Sequence, residues 1–477
     1  MKKQYIMMHR FLLLASLCLA PLHPLSANVG RGADDKVDAV AEANTDDEVD
    51  AVAENRTDDE VDAVTGATVP QAQQTKPGGK VKSRLTLGGY GEAVASRNFY
   101  SDNYKRYTNA SLYRNAKSHG RVDLPHAVFY VSYDFGHGWT LGSEIEFEHG
   151  GTESAVEIEE EETGEYETEV ERGGEVALEQ FWIQKSWSQA LNLRMGHIVL
   201  PVGLLNSSHE PTEFFTVYRP EGESTILPST WHQTGLSFWG RLPKWRYEVQ
   251  FVTGLEADLF SARNWVNTGS ASAYEFDLAN AYAAVARVDN YSIAGLRIGL
   301  SGYYGRSASN SLKPDKYNKV KGDVLIGALD FSYNRHNLLL RGNIDYGHLT
   351  DSESITKINK TLGSNSVSPQ TSVASDAMCA GLEAGYDFFA LSPKLSQSRH
   401  QLYLFGRYDY YDSMFRTQGS VVDNPCWSRQ KLTVGLNYKP MKELVIKAEY
   451  AHRLLKSQFN DEPAINIGIA YAGFFRM

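Results

Sequence analysis

From Arg84 onward the chain is a succession of short segments in which apolar and polar residues alternate, joined in pairs by tight turns and parted by long polar stretches. A period of two commits such a chain to antiparallel sheet. Ala127, Phe129, Val131, Tyr133 and Phe135 share one face, with Val128, Tyr130, Ser132 and Asp134 on the other. Leu338, Leu340, Ile344 and Tyr346 oppose Arg341, Asn343 and Asp345 in the same way, and Ile465, Ile467 and Ile469 oppose Asn466, Gly468 and Ala470. Turns are expected at Gly136-His137-Gly138, Ser188-Gln189-Ala190, Leu242-Pro243-Lys244, Asp289-Asn290-Tyr291, Asn334 to Asn337, Leu391 to His400 and Lys439-Pro440-Met441. With a first strand from Leu85 to Ser96 and a last from Ala464 to Arg476, the expected total is about sixteen. An even number lets the two ends pair, which removes the sheet edge.

A water-soluble sandwich has the same period, so further features must decide. The positions opposite the apolar face carry Arg, Glu, Asp and Lys, which a dry core excludes and a wet lumen accepts. Aromatic residues recur near segment ends, where an interfacial girdle needs them. Loop lengths are asymmetric: the turns are short, while residues 98–120, 150–174, 200–231, 256–275, 305–320, 350–375, 413–427 and 456–463 are long polar stretches. The fold class expected is all-β, a transmembrane antiparallel barrel whose long loops lie outside the cell.

The termini and the composition set the compartment. Lys2, Lys3 and Arg10 precede an apolar run from Phe11 to Ala20, and Leu25-Ser26-Ala27 offers a small-residue cleavage site, so residues 1–27 read as an export signal. Residues 28–80 hold three copies of one unit, DDKVDAVAEANT, DDEVDAVAENRT and DDEVDAVTGATV, with many acids and no aromatic residue. Such a segment cannot bury much of a core, and it is read as a solvated periplasmic linker, with a coiled-coil or partner-binding segment as the alternative. The barrel is assigned to 81–477. A net charge of −11 without a basic cluster beyond the leader argues against nucleic acid as a partner. Cys379 and Cys426 remain after export; pairing and two free thiols both stay open.

The run Leu193-Arg194-Met195-Gly196, Pro201-Val202-Gly203, His209-Glu210-Pro211, Tyr218-Arg219-Pro220, Ile226-Leu227-Pro228 and Trp231 to Gly235, together with Leu87 to Glu92, resembles the Bacteroidetes-type outer-membrane porins related to the phosphate-selective porin O and P family. The resemblance implies a sixteen-stranded, trimeric channel in the outer membrane of a Gram-negative bacterium, with the third extracellular loop folded into the pore. The family's ladder of pore-facing arginines is not matched residue by residue, so phosphate specificity is not carried over. The ending Phe474-Phe475-Arg476-Met477 also departs from the usual terminal aromatic.

The residues of 200–231 agree independently with an inward loop. The stretch exceeds the roughly 12–15 residues usual for a structureless loop, and Leu204, Leu205, Phe214, Phe215, Val217 and Ile226 are too apolar to wave in water. A lumen of about sixteen strands is also too wide for side chains alone to fill. Rim packing is the other course open to it.

No nucleophile elbow, phosphate loop or dinucleotide fingerprint occurs, and His209 with Glu210 and Glu213 lacks zinc-protease spacing. No enzyme activity, metal or cofactor is therefore expected. The function expected is passive diffusion of small hydrophilic solutes or ions; a β-rich surface adhesin or ligand-binding protein is the alternative. Alternation assigns Glu92, Asp134, Glu144, Glu146, Glu148, Arg194, Arg246, Arg287, Arg297 and Arg341 to the lumen, as an acidic and a basic wall mixed with exceptions such as Glu248, Asp330 and Asp345, with Glu210, Glu213, Arg219, Glu221 and Glu223 on the loop narrowing the gap between them. The partners expected are outer-membrane lipid, small solutes and two further copies of the chain.

Overall fold

The computed structural model describes residues 84–151, 157–160, 166–169, 175–271, 278–311, 313–362 and 367–475. The signal and linker assignments fall outside these residues. Apart from a separate two-stranded hairpin of Glu157–Glu160 and Tyr166–Glu169, the strands are β1 (Leu85–Asn98), β2 in two pieces (His119–Asp123 and His126–Gly136), β3 (Trp139–Glu148), β4 (Glu175–Ser188), β5 (Leu191–Val199), β6 (His232–Leu242), β7 (Trp245–Thr253) and β8 (Tyr282–Ile293). They continue as β9 (Leu296–Arg306), β10 (Asp323–Arg335), β11 (Leu338–Leu349), β12 (Asp376–Asp387), β13 (Gln401–Arg416), β14 (Ser428–Met441), β15 (Leu444–Leu454) and β16 (Glu462–Phe475). Each pairs antiparallel with the next. Both pieces of β2 lie along β1, end to end, with Leu124-Pro125 between them, where a proline that cannot donate interrupts the ladder. The sheet closes where β1 meets β16, from Leu87 opposite Phe475 to Asn98 opposite Ala464. The sixteen-stranded closed barrel expected from the alternation is thus formed.

Two turns lie further along than expected. β8 runs past Asn290 to Ile293, and β14 runs past Pro440 to Met441, so the turns are Ala294-Gly295 and Lys442-Glu443. In both places the register slips, between Asn290 and Ile293 and between Tyr438 and Met441, and a bulge tolerates residues that look like a turn in sequence.

Burial is inverted relative to a water-soluble protein. Phe129, Phe181, Leu236, Phe251, Leu300, Leu325, Leu382, Leu404, Leu432 and Ile467 all stand exposed on the outer face, Leu300 at 62% and Phe129 at 58%. The charged partners of the alternation point the other way and are buried, among them Glu144, Arg287 and Lys447. At the short-turn end the outer face carries exposed Phe135, Trp139, Trp187, Trp245, Phe388 and Phe475; at the long-loop end it carries Tyr282, Tyr304, Tyr346 and Tyr450. These are the two girdles an interfacial belt requires. Above the long-loop end, Phe260 and Trp265, Tyr317, Ile355, Val373 and Val421 come from four different loops and join one apolar cluster. Cys379 and Cys426 are both buried and free.

Candidate functional site: the charged interior and the third long loop

The inward faces of β1 to β4 gather carboxylates. Glu144 and Glu146 are two apart on β3, so they share a face, and both are buried. Glu148 continues the row at its end. Glu179 joins them through a bulge. Glu144 pairs with Gln180 but Ile145 pairs with Leu178, so Glu179 is the extra residue, and both Glu179 and Gln180 are buried while Leu178 and Phe181 are exposed. Gln180 donates a hydrogen bond to Glu144. On β1, Glu92 faces His126 of β2, with Nδ1 at 2.7 Å from the carboxylate. Asp134 sits at the short-turn end, where its carboxylate accepts from the Gly136 N–H at 2.7 Å and so braces the turn.

The basic residues lie in a mixed network that includes the expected acidic exceptions Glu248 and Asp330. Arg246 lies 2.5 Å from Glu248 and 3.5 Å from Asp289. Arg287 bridges Asp289 at 2.8 Å and Asp330 at 3.1 Å, and Arg297 reaches the same two carboxylates at 3.0 and 2.6 Å. Arg407 binds Glu383 at 3.3 Å and Asp409 at 2.7 Å, with Arg341 3.9 Å from Glu383. Arg194 differs: its guanidinium lies 4.3 Å over the Trp182 ring and hydrogen-bonds Gln184. Because acids and bases alternate within this network, its field largely cancels at a distance. Sequence reading named the arginines but left out Asp289, Glu383, Arg407 and Asp409, although the same alternation places them all on the inward face.

The third long loop, residues 200–231, touches strands all round the sheet. Arg287 of β8 donates to the carbonyls of Pro201 and Gly203 at 3.2 and 2.9 Å, and Arg341 of β11 donates to the Glu213 carbonyl and to Ser208. Lys447 of β15 donates to the Phe214 and Thr216 carbonyls at 2.9 and 2.7 Å, and Glu449 accepts from the Val217 N–H at 2.7 Å. Glu221 opens a short helix, α1 (Glu221–Ile226), and meets Arg453 of β15 at 2.5 Å and Lys431 of β14 at 2.9 Å. On the acidic side Arg219 donates to the Tyr90 hydroxyl at 3.1 Å and lies 3.9 Å from Glu146, while the Tyr130 hydroxyl donates to Glu210 at 3.2 Å. Glu223 turns back into the loop and accepts from the Leu205 N–H. Leu200, Leu205, Phe214 and Ile226 are buried, so apolar packing and carbonyl acceptors together fix the loop.

No family model matches the chain. An uncharacterized protein of Aquifex aeolicus is 24% identical over 391 residues, covering 80% of this chain and 79% of that one. Among solved structures, OmpF of Salmonella typhi in complex with daunomycin aligns over 82% of this chain and 97% of its own at 12% identity, with a TM-score of 0.48. The anion-selective porin of Comamonas acidovorans covers 82% and 99% at 11% identity, TM-score 0.46, and the outer-membrane channel DcaP of Acinetobacter baumannii covers 83% and 99% at 11%, TM-score 0.44.

Proposed function

We propose that this chain is an outer-membrane diffusion channel of a Gram-negative bacterium, passing small hydrophilic solutes or ions without chemistry. The observation that carries the reading is the inverted burial. A closed sheet whose outer face is a continuous exposed apolar band between two aromatic girdles belongs in lipid, since exposed apolar area on this scale is not stable in water. In this reading the loop 200–231 lies across the lumen, supported by its hydrogen bonds to β8, β11, β14 and β15 on one side and its contacts with Tyr90, Tyr130 and Glu146 on the other. Its carbonyls replace water as acceptors for the interior arginines and lysine, which makes it a narrow constriction of fixed polarity. Glu92, Glu144, Glu146, Arg194, Arg246, Arg287, Arg297 and Arg341 are the side chains that set the field within it. Kinship with the porin O and P family, and the trimer it implies, rest on the motifs at 85–92 and 193–235.

The test has two arms. Unheated protein should migrate faster in SDS gels than boiled protein, and the purified protein should insert stepwise conductance into a planar lipid bilayer. A protein that unfolds in SDS without heating, or that inserts without conducting, would make the adhesin the better reading.

A further inference from the structure

The acidic cluster of β1 to β4 contains a geometry that diffusion does not need. His126 and Glu148 are directly opposite in the β2–β3 register, and Glu146 follows two residues along the same face. One ligand atom from each, the His126 ring nitrogen and a carboxylate oxygen of Glu146 and of Glu148, lie within 4.8 Å of one another. His126 Nε2 is 4.0 Å from Glu146 Oε1. The other ring nitrogen, Nδ1, is 2.7 Å from Glu92. In the neutral imidazole a proton donated there leaves the Nε2 lone pair facing Glu146, the arrangement in which a carboxylate orients a metal-binding histidine.

A second observation concerns the buried polar atoms beside these ligands. Glu146 is 3% exposed, and among the described residues no nitrogen or hydroxyl donor reaches its Oε1, Oε1 of Glu144 or Oε2 of Glu179. His209, 1% exposed, has no hydrogen bond to either ring nitrogen, and its Nε2 is 4.0 Å from Glu144. The Arg219 guanidinium lies 3.9 Å from Glu146 at the edge of this cluster. A carboxylate withdrawn from water is unfavourable unless it takes up a proton or meets a cation. A divalent ion is such a cation.

We propose that His126, Glu146 and Glu148 bind a divalent first-row transition metal of the zinc type, oriented by Glu92, with water completing the coordination. One nitrogen and two carboxylate oxygens suit such a metal, whereas calcium and magnesium select oxygen alone. Ligand atoms about 3.4 Å apart surround a tetrahedral zinc at 2.0–2.2 Å, so the present separations need to close by about half an ångström to one and a half. The site does not depend on the channel reading and can be tested whether or not the protein conducts.

Full-length protein without a histidine tag, in detergent and stripped with chelator, is titrated with Zn2+ alone by calorimetry, and bound metal is measured after dialysis. Wild type should retain one equivalent, and excess Ca2+ should not displace it. Glu146→Gln and His126→Gln should each bind at least tenfold more weakly, and Glu92→Gln ten- to a hundredfold more weakly. Heat-modifiable migration separates a folded variant from an unfolded one. Should a variant fail to fold, Co2+ bound to wild type decides: ligand-field bands showing nitrogen coordination support the site, and an octahedral, water-like spectrum overturns it. Absence of stoichiometric zinc, displacement by Ca2+, or folded variants that bind as wild type does would each overturn it as well.

Discussion

Phe215, at the far reach of the third long loop, stacks on Phe405 of β13 with ring centroids 5.3 Å apart and planes inclined by 12°. The ring occupies space opened by Gly385 on the neighbouring strand, where an added Cβ would come within 2.2 Å of it. A glycine on one strand and an aromatic on the next thus make a slot that fastens the loop to β12 and β13. Lys447 closes the fastening from behind through the carbonyls on either side of Phe215.

If the loop is the constriction, the slot sets its width. Deleting Phe214 to Ser224 is expected to raise single-channel conductance, and Phe215→Ala or Gly385→Val to raise its variance by releasing the tip. Removing the buried phenylalanine is expected to lower stability by about 3–5 kcal/mol, visible as an earlier loss of the fast-migrating form on heating. Unaltered conductance after the deletion would place the loop away from the path.

Arg287 is the keystone of the mixed network, held by Asp289, Asp330 and two loop carbonyls. Arg287→Met leaves buried carboxylates partly uncompensated, and breaking such a pair is worth about 3–5 kcal/mol. The temperature at which the folded band disappears should fall markedly, and adding Asp330→Asn should recover part of it. Additive losses in the double variant would argue that the two residues act independently.

The barrel was legible because its signal is redundant: every strand repeats the same alternation, so an error of one turn leaves the others intact. Turn positions failed only at Asn290 and Pro440, where bulges hide turn-like residues inside a ladder. The site was half legible. Alternation places Glu144, Glu146 and Arg341 inside, but it places Glu179 on the lipid face with Phe181 and Ile183, because the parity flips at a bulge that no local residue announces. Pairing was not legible at all. That Arg297 shares Asp289 and Asp330 with Arg287 follows from register across three strands, which alternation within one strand does not encode.

At the long-loop end, Glu353 on the helix Ser352–Asn359, named α2, holds two loops together: it receives Lys357 Nζ at 2.8 Å and both the Ser420 N–H and hydroxyl, at 2.9 and 2.7 Å. The Lys357 and Ser420 hydrogen bonds bring its carboxyl down to about 2. A carboxyl whose folded value is depressed favours the tethered state above its ordinary value, and that preference is lost as pH falls toward the folded one. The tether should therefore persist at pH 5 and weaken between about pH 4 and pH 2. Limited proteolysis at 417–423 should accelerate across that window in wild type, whereas Glu353→Gln should be cleaved readily throughout. Equal cleavage of the two at pH 5 would show that this carboxylate holds nothing.

Selectivity offers the last test, because it separates a basic wall from a compensated one. Among the described residues Arg194 meets Gln184 and the Trp182 ring, while Arg246 is matched by Glu248 and Asp289. Each removal deletes one positive charge, and removing Arg246 also leaves Glu248 without its ion pair, while Asp289 keeps Arg287 and Arg297. Arg246→Ala should therefore move the cation-to-anion permeability ratio toward cations more than Arg194→Ala does, and the double variant should move it furthest. All three shifts should shrink as salt rises from 0.01 to 1 M, over which the screening length falls from about 30 Å to about 3 Å. If Arg194→Ala has the larger effect, the field in the constriction comes from isolated arginines, and the paired network is structural support alone.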